Sequence, residues 1–378
     1  MKILITGAHF TPALAVVEEL KKFQNTEIVY VGRKTTQEGD KTISQESQIL
    51  PKMGVKYLTI ITGRLRRNFD LLTILSLLKL PIGFIQAFYI ILNEKPDVIL
   101  SFGGYVAVPL VIVGWLWSIP ILVHEQTLVS GLANKISAKF ADKIAVGFEA
   151  NSFAKKDNAI ITGNPIREEF LNPKGVLSSE YKKIFQEAHK NKLSVILITG
   201  GNQGSHTINK AVEDSLDDLL KVVCIIHQTG DSNFKDYERL MDKRSFSLSK
   251  QSDRYLVKKF IDNMGTILSQ VDLIVSRAGI NTLVEAAYLH KPVLAIPFPF
   301  LYQNEQVKNA KYFEGLGLVR ILYQSELNAE SFKKNILDML KKLPSLENSA
   351  LKSSEVVKLG AAKRLAVETV LLVDTEDL

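Results

Sequence analysis

Short β-rich runs alternate with longer helical patterns along this chain, and that alternation constrains its fold more than any other feature. Six runs occupy the first part of the chain, namely KILIT, EIVYV, KYLTII, DVILS, PILVH and KIAVG. Four more, SVILIT, VVCIIHQ, DLIVS and PVLAIP, follow from Ser194 onwards. Strands that alternate with helices are typical of parallel sheets built from βα units. The sequence therefore predicts an α/β fold.

The two series of runs indicate two doubly wound domains. A length of 378 residues fits two domains of roughly 100–200 residues each. A polar stretch with two Asn-Pro pairs separates the series, which predicts an N-terminal domain of residues 1–163 and a C-terminal domain of residues 164–345. Residues 346–378 look helical, and we expect them to finish the second domain or to cross back over the first. Sites in such sheets lie at the carboxyl ends of the strands, so the cleft between the domains is the expected site.

Composition excludes some classes of protein. The single cysteine, Cys224, rules out a disulfide framework and a multi-cysteine zinc site, and its apolar neighbours predict a core position. The net charge is +7, and residues 1–163 hold most of it, with 18 Lys and Arg against 13 Asp and Glu. A basic surface suits nucleic acid, anionic lipid or phosphorylated substrates, and charge alone does not choose among them.

Two long apolar stretches are not expected to span a membrane. Residues 98–123 carry no charge, but glycines and prolines divide them into a strand, a helix and a strand. The helical part would extend only ~20 Å, short of a ~30 Å hydrocarbon core. Residues 71–92 are interrupted by Lys79 and Pro81. The N-terminus, MKILITGAH, lacks the long apolar region of a signal peptide.

The first strand-to-helix turn contains small residues followed by a histidine. It reads Thr6, Gly7, Ala8, His9. Small residues allow a ligand to approach the backbone closely, and a helix N-terminus offers free N–H groups to an anion. His9 at this corner is predicted to face the site, although a lone histidine is often structural.

The second domain contains two candidate phosphate-binding turns. GGNQGS, which includes Asn202, follows the strand VILIT and could cradle a phosphate or simply satisfy packing. SRAGINTLVEA follows DLIVS, so the N–H groups near Gly279 and Ile280 would meet a diphosphate. Glu285 could accept hydrogen bonds from both ribose hydroxyls, or it could be a solvated helix residue stabilised by the helix dipole.

Four further positions end strands or lie near the hinge. Gln306, in NEQVKNA, could read sugar hydroxyls, and Arg167, in GNPIR, could pair with a phosphate. Tyr105 follows Gly103-Gly104 after the strand DVILS, and Glu125 follows the strand PILVH. The His124-Glu125 pair could equally be a buried structural pair.

Taken in order, these motifs resemble those of the MurG family of bacterial cell-wall synthesis. They are TGAHFTPALA, SFGGYVAVP, LVHEQ followed by GLANK, TGNPIR, GGNQGS, SRAGINTLVEA and EQVKNA. The family transfers N-acetylglucosamine from UDP-N-acetylglucosamine to lipid I, an undecaprenyl-pyrophosphoryl N-acetylmuramyl-peptide. The resemblance runs from Met1 to about Leu340.

The resemblance implies a GT-B fold with two Rossmann-like domains, no cofactor and no metal in the site. It implies that the 4-hydroxyl of N-acetylmuramic acid attacks C1 of the donor sugar with inversion and gives lipid II. His9 is the implied catalytic base, because a group with a near-neutral pKa can take the proton of that hydroxyl. The implied donor-binding residues are Thr6, Gly7, Ala8, Arg167, Asn202, Phe260, Ile261, Ile280, Asn281, Thr282, Glu285 and Gln306. The implied acceptor-side residues are Tyr105, Glu125 and Asn134.

Three features depart from the family pattern. The first loop lacks three of the glycines of GGTGGH, Thr127 stands where an asparagine is expected, and Asn202 replaces a serine. Most of these changes flank His9 or the donor phosphates, so they bear on donor affinity and on proton transfer more than on the reaction class.

The segment before the strand DVILS predicts a membrane-facing surface. Arg64, Arg66 and Arg67 precede LLTILSLLKLPIGFIQAFYIIL, which has only a narrow polar stripe. An apolar face beside basic residues suits the interface of an anionic membrane, although a fully buried helix pair is the alternative. With the resemblance, this predicts a peripheral protein on the cytoplasmic face of the plasma membrane, with no nucleic-acid partner.

Three rival functions remain open at this stage. The chain could be another lipid-acceptor glycosyltransferase of the same fold, a UDP-sugar epimerase, or a nucleotide-sugar-binding protein without catalysis.

Overall fold

The computed structural model describes residues 1–35, 43–63, 78–201, 203–231, 234–246, 251–300 and 302–374. The chain forms two compact units. Unit 1 comprises Met1–Arg167 and Lys358–Leu378, and unit 2 comprises Glu168–Val357. The unit boundary therefore follows Arg167, where the sequence predicts one after residue 163. The predicted C-terminal segment is divided, because residues 346–357 belong to unit 2 and the remainder belongs to unit 1.

Unit 1 is a parallel sheet with helices on both faces. Its strands are β1 (Lys2–Thr6), β2 (Glu27–Gly32), β3 (Lys56–Thr59), β4 (Val98–Ser101), β5 (Ile121–Glu125), β6 (Lys143–Val146) and β7 (Ala159–Ile161). Its helices are α1 (Phe10–Leu20), α2 (Gln45–Ile49), α3 (Lys79–Glu94), α4 (Ala107–Leu116), α5 (Leu132–Ser137) and the C-terminal α15 (Ala361–Asp374). The described strands lie in the order β3-β2-β1-β4-β5-β6-β7.

Unit 2 repeats this arrangement. Its strands are β8 (Ser194–Thr199), β9 (Val223–Gln228), β10 (Tyr255–Lys258), β11 (Leu273–Ser276), β12 (Val293–Ala295) and β13 (Val319–Ile321), in the order β10-β9-β8-β11-β12-β13. Its helices are α6 (Glu168–Leu171), α7 (Ser179–Asn191), α8 (His206–Leu219), α9 (Asp236–Phe246), α10 (Met264–Gln270), α11 (Ile280–Tyr288), α12 (Glu305–Gly315), α13 (Ala329–Lys341) and α14 (Leu343–Ser353). The predicted α/β class is confirmed in both units.

The central strands are buried on both faces, which explains why they read as unbroken apolar runs. In unit 1, Leu20 of α1 and Leu365 of α15 belong to the cluster on one face, and Ile91 of α3 and Leu110 of α4 belong to the cluster on the other. Helix α15 therefore completes the core of unit 1, although it follows unit 2 in the chain.

The core of unit 2 contains the cysteine. Cys224 lies in β9 and is fully buried, as predicted, and burial raises the pKa of its thiol to about 11. Leu216 of α8 and Phe332 of α13 pack in the same unit against the strands.

Among the described residues, no helix is both long enough and apolar enough to cross a membrane. Helix α3 contains the described part of the apolar segment before β4 and is 16 residues long. Arg64, Arg66 and Arg67 lie outside the described residues.

Candidate active site

The turn between β1 and α1 in unit 1 is short and tightly packed. The hydroxyl of the buried Thr6 donates to the carbonyl of Val31 at 3.0 Å. Gly7 has a φ of +149°, and a Cβ at this position would lie 2.8 Å from the Cβ of Phe102. The N–H of Ala8 donates to the carbonyl of Gly103 at 2.9 Å. The turn therefore rests directly on the loop after β4.

His9 follows this turn at the N-cap position of α1 and makes no side-chain capping hydrogen bond. Burial, and secondly the positive charge of Arg33, lowers the pKa of His9 to about 4. The imidazole is therefore neutral at pH 7. A neutral imidazole can accept a proton, so His9 is in the form that a general base requires, but a pKa of about 4 makes it a weaker base than the near-neutral group expected from the sequence.

Four side chains that connect to the β1 turn, directly or through Arg33, were not predicted from the sequence. The hydroxyl of Tyr30 donates to the carbonyl of Gly7 at 3.2 Å, and the hydroxyl of Tyr57 donates to the carbonyl of Arg33. The Nε of Arg33 lies 3.7 Å from a carboxylate oxygen of Glu46. Burial raises the pKa of Glu46, while Arg33 opposes that rise. The position of Arg33 directly after β2, at the carboxyl end of a central strand, is the signal that could have identified it.

Two glycines allow three segments of unit 1 to come into contact. A Cβ at Gly103 would lie 2.2 Å from the Oδ1 of Asn134, and a Cβ at Gly104 would lie 2.5 Å from the Cβ of Ala8. Both glycines also have positive φ, +72° and +82°. The turn before His9, the loop before the half-buried Tyr105 and the helix that carries Asn134 are therefore in contact.

Glu125 closes this cluster with a carboxylate that is 3% exposed. One oxygen accepts hydrogen bonds from the N–H and the hydroxyl of Thr127, at 3.0 and 2.9 Å. The other accepts from the N–H of Gly131 at 3.1 Å and from the Nδ2 of Asn134 at 2.9 Å. Burial raises the pKa of Glu125, and these hydrogen bonds oppose the rise. The carboxylate thus organises the loop between β5 and α5.

His124 is also buried, and its Nε2 lies 3.4 Å from the carbonyl oxygen of Gly163. Burial lowers its pKa to about 4, and the nearby His9 contributes to that shift. This geometry agrees with the alternative that His124 and Glu125 are structural groups. The structure thus brings His9, Tyr105, Glu125 and Asn134 to one edge of the first sheet.

The turn between β8 and α8 is the counterpart in unit 2, and it is more open. Gly201 and Gly204 have φ values of +84° and +74°, and the N–H of Gly204 donates to the carbonyl of Gly201 at 3.0 Å. A Cβ at Gly204 would lie 1.9 Å from the carbonyl oxygen of Thr229, whereas no described atom lies within 4 Å of a Cβ at Gly201. Asn202 lies outside the described residues.

Helix α11 presents its N-terminus at the same edge of the second sheet. Its N-cap, Gly279, is extended, and within the described part of the chain no side chain caps the helix. Ile280 is buried, and Asn281 and Thr282 are partly exposed in the first turn. The first N–H groups of a helix and its dipole attract anions. Glu285 lies one turn further along and is 6% exposed.

Two of the predicted donor-binding residues of unit 2, Ile261 and Gln306, already make hydrogen bonds within the protein. Phe260 is 45% exposed, but the N–H of the neighbouring Ile261 donates to the Oε1 of Gln228 at 2.9 Å. The Oε1 of Gln306 accepts from the N–H of Phe298 at 2.8 Å. The carbonyl of Ile261 and the amide NH₂ of Gln306 take no part in these two hydrogen bonds.

Arg277 was not selected from the sequence, although it belongs to the SRAGINTLVEA motif. Its guanidinium donates to the carbonyl of Ile296 at 3.0 Å and to the hydroxyl of Ser205 at 2.7 Å. It also lies 5.4 Å from the ring centre of Phe298. Burial lowers the pKa of Arg277 to about 10, so it is still charged at pH 7. A positive charge therefore lies beside the glycine turn.

The predicted donor residues are divided between the units. Thr6, Gly7 and Ala8 belong to unit 1, and Arg167 is its last residue before unit 2. Phe260, Ile261, Ile280, Asn281, Thr282, Glu285 and Gln306 belong to unit 2. In the described part of both units, no group of three or more His, Cys, Asp and Glu side chains could hold a metal ion.

Comparison with family models shows the class of protein to which the chain belongs. Residues 6–146 match the glycosyltransferase family 28 N-terminal domain, and residues 195–365 match the glycosyltransferase family 28 C-terminal domain. The two matches cover the β1 turn in unit 1 and the β8 and β11 turns in unit 2. The chain is thus a family 28 glycosyltransferase.

Individual relatives narrow this class. A Bacillus cereus protein named UDP-N-acetylglucosamine–N-acetylmuramyl-(pentapeptide) pyrophosphoryl-undecaprenol N-acetylglucosamine transferase 2 is 37% identical over 89% of this chain and 91% of its own length. A Clostridium perfringens transferase of the same name, without the numeral, is 36% identical over 94% of both chains. The chain belongs to this transferase family, the MurG family, as the sequence predicts.

Solved structures agree with the fold. A crystal structure of Acinetobacter baumannii MurG superposes with a TM-score of 0.70 at 23% identity, covering 98% of this chain and 99% of that one. An S. aureus MnaA–UDP structure gives 0.69 at 14% identity, covering 99% and 98%. The predicted GT-B fold is confirmed.

Proposed function

We propose that this chain transfers N-acetylglucosamine from UDP-N-acetylglucosamine to the 4-hydroxyl of N-acetylmuramic acid in lipid I. The product is lipid II, the disaccharide precursor of peptidoglycan. The observation that carries the proposal is family membership: relatives with this named activity are 34–37% identical over about nine-tenths of the chain. The enzyme is accordingly a hexosyltransferase.

The edge of unit 2 is the proposed donor site. The uncapped start of α11 and the open turn at Gly201 suit a diphosphate, and the charged Arg277 lies beside that turn. Glu285 would accept from the ribose hydroxyls, and Gln306 would contact the sugar. Because the N–H of Ile261 is donated to Gln228, its carbonyl is the group that remains for the uracil, which offers an N–H donor.

The edge of unit 1 is the proposed acceptor site. His9 would take the proton of the attacking hydroxyl, since its neutral imidazole can accept one. Departing UDP gains negative charge, which the N–H groups of α11 and the cation of Arg277 would stabilise, with Arg167 added on the family resemblance. Tyr105 and Asn134 would contact the acceptor, while Glu125 would hold their loop. No step in this scheme uses a metal or a cofactor.

A purified-protein assay tests the reaction. We expect radiolabelled sugar to move from UDP-N-acetylglucosamine to lipid I and to remain bound to the lipid. Diacylglycerol serves as the alternative lipid acceptor, and conversion of the free UDP-sugar to its 2-epimer is followed in the same reactions. Transfer only to diacylglycerol, epimerisation alone, or UDP binding without turnover would each contradict the proposal and support one of the three rivals.

An exposed apolar face of unit 1 supports a peripheral membrane location. The face comprises Ile82, Ile85, Phe88, Tyr89 and Leu92 of α3 with Trp115, Leu116 and Trp117 at the end of α4, each between 38% and 62% exposed. The rings of Phe88 and Trp117 are 5.1 Å apart. The alternative of a fully buried helix pair is wrong for α3. Aromatic and aliphatic side chains in one patch suit the interfacial layer of a bilayer.

Basic residues accompany the apolar face. Lys79 begins α3, and the exposed Lys139 precedes Phe140, whose ring lies 5.2 Å from that of Trp115. Each basic residue near an anionic surface adds about 1 kcal/mol to binding. We therefore propose that unit 1 binds the surface of an anionic membrane, and on the family resemblance we place it on the cytoplasmic face of the plasma membrane.

Vesicle flotation tests the membrane contact. We expect the protein to float with vesicles that contain phosphatidylglycerol at low salt, and the double variant Ile85→Ser/Tyr89→Ser to float much less. Leu351→Ser is the matched control, because Leu351 is 51% exposed on α14 of unit 2. Equal flotation of the double variant and the control would contradict the proposal.

A further inference from the structure

Gln228 lies between the two loops of unit 2 that are proposed to hold the ends of UDP. It is the last residue of β9, which pairs with β8 on one side and with β10 on the other. Strand β8 leads into the turn with Gly201, and β10 leads into the loop with Phe260 and Ile261. Gln228 is 3% exposed, so its side chain is enclosed at the edge of the sheet.

The amide group of Gln228 bonds to both neighbouring loops at once. Its Nε2 donates to the carbonyl of Gly201 at 3.2 Å and to the hydroxyl of Thr199 at 3.3 Å. Its Oε1 accepts from the N–H of Ile261 at 2.9 Å. A primary amide carries a donor and an acceptor on one rigid plane, so one side chain can join a carbonyl on one loop to an N–H on the other.

We propose that Gln228 is a positioning residue that sets the spacing between the glycine turn and the uracil loop, so that one UDP molecule reaches both. The proposal rests on the donor site described above. A ligand that spans two loops binds more tightly when the loops are held at the correct distance before it arrives, because the ordering cost is already met in the free protein. Gln228 touches no substrate atom in this scheme.

The same hydrogen bonds direct the polar groups of the uracil loop. With its N–H donated to Gln228, Ile261 presents a carbonyl acceptor to the base. Loss of the glutamine amide would leave that N–H without its acceptor, so the uracil loop could change its orientation. Gln228 therefore affects the orientation of the loop as well as its distance from the turn.

His227, the preceding residue of β9, is a matched control. It is fully buried, and its ring nitrogens lie 2.9 Å from the hydroxyl of Tyr255 and 3.0 Å from the Oδ1 of Asn209. These partners belong to the interior of unit 2 and not to the two loops. A substitution at His227 therefore disturbs the stability of the same strand without breaking the bridge.

The experiment compares Gln228→Met and Gln228→Glu with His227→Gln by calorimetry with UDP and by steady-state kinetics. The methionine removes all three hydrogen bonds of the amide at similar volume, and the glutamate keeps an acceptor for Ile261 but loses the donor to Gly201 and Thr199. We expect UDP to bind about tenfold more weakly to both Gln228 variants, because buried loop groups lose their partners. KM for the sugar donor should rise to the same extent, while kcat at saturating donor and KM for lipid I change less than about twofold.

A double variant separates positioning from general damage. In a Phe260→Ala background, the uracil loop contributes less to UDP affinity. Gln228→Met should therefore weaken UDP binding there by less than about threefold. His227→Gln should lower the melting temperature and leave UDP affinity unchanged. Wild-type UDP affinity in both Gln228 variants would overturn the inference. A loss of kcat in step with melting temperature, with KM for the donor unchanged, would also overturn it.

The binding measurement keeps this inference distinct from the proposed function. UDP affinity is measured without acceptor, so a wild-type protein that binds UDP but does not glycosylate lipid I would contradict the proposed function and still decide the role of Gln228. A wild-type protein that does not bind UDP would contradict both.

Discussion

The first strand-to-helix turns of the two units occupy the same place in their sheets but are built differently. In unit 1, β1 ends at Thr6 and α1 begins four residues later, and the turn packs against Phe102 and Gly103. In unit 2, β8 ends at Thr199 and α8 begins at His206 after a longer glycine-rich turn. Among the described residues, no atom lies near the position of a Cβ at Gly201, whereas a Cβ at Gly7 would meet Phe102.

This difference divides two tasks between two similar sheets. A closed turn leaves little backbone for a ligand and presents the side chain that follows it, which is His9. An open turn beside an uncapped helix presents backbone N–H groups, which suit phosphate oxygens. The loss of glycines from the first loop, noted in the sequence, agrees with a turn that works through a side chain.

The largest expected effect comes from replacing the histidines that follow the two turns. His9 makes no capping hydrogen bond, whereas the Nδ1 of His206 lies 2.8 Å from Asp236 and its ring stacks on Phe234. We expect His9→Ala to lower kcat by about 10²–10⁴-fold, the usual range for loss of a general base, while UDP affinity is retained. His206→Ala is the matched control and should change kcat less than about threefold. Equal losses in the two variants would contradict a special role for His9.

Alanine in place of the turn glycines tests the difference in packing. Gly7→Ala should destabilise unit 1 by about 3 kcal/mol, because its φ of +149° is almost restricted to glycine and its Cβ would meet Phe102. At Gly201 φ is +84°, but no described atom lies within 4 Å of a Cβ, so strain alone should cost Gly201→Ala about 1–2 kcal/mol. Denaturant unfolding measures both changes. If Gly201→Ala proves to be the more destabilising substitution, the contrast between closed and open turns is wrong.

The two partly buried arginines provide the third test. Arg33 in unit 1 has Glu46 as a partial counter-ion, whereas no salt bridge to Arg277 occurs within the described residues of unit 2. A partly buried cation of this kind suits an anionic ligand. We expect Arg277→Gln to weaken UDP binding about tenfold, since charge-assisted hydrogen bonds contribute about 1.5–3 kcal/mol. Calorimetry measures the UDP affinity of this variant. Arg33→Gln is the control and should leave UDP affinity unchanged.

The sequence predicts the fold well because its decisive signals are local. Buried parallel strands are continuous apolar runs, and the helices between them follow a different period. Parts of the site are equally local: Ile280 and Asn281 come shortly after the strand β11, so their place at a helix N-terminus could be predicted. The route of α15 was left open, because residues 358–374 join unit 1 through contacts distant in sequence.

The residues that support the site could not be predicted in the same way. Gln228 bonds to Ile261, 33 residues later, and Tyr30 bonds to Gly7, 23 residues earlier. Such contacts depend on which strands become neighbours, and a single residue in an apolar run does not reveal them. Glu125 shows the complementary limit, because the family resemblance implied a place beside the acceptor, whereas its hydrogen bonds are made with Thr127, Gly131 and Asn134 of the protein.

The smallest expected effect concerns the electrostatic surroundings of His9. Burial and the charge of Arg33 lower the pKa of His9 to about 4, so its basic form persists well below pH 6.5. Protonation abolishes a general base, so kcat/KM should fall only as the pH drops through about 4. Arg33→Gln removes one of the two causes, so the pKa of His9 should rise and the acid limb should move to higher pH by less than about one unit. His124, the other titrating neighbour, is unchanged in this variant.

Arg33→Lys is the control for that shift, because it keeps the positive charge beside His9 and should leave the acid limb in place. The profile is measured as kcat/KM for lipid I at saturating UDP-N-acetylglucosamine. An acid limb near pH 6.5 in the wild type would mean that the base is a solvated histidine. An unshifted limb in Arg33→Gln would mean that the charge of Arg33 does not reach the group that titrates. Either result would show that the edge of unit 1 does not lower the pKa of His9 electrostatically. The contrast with the edge of unit 2, which presents backbone N–H groups, would then rest on geometry alone.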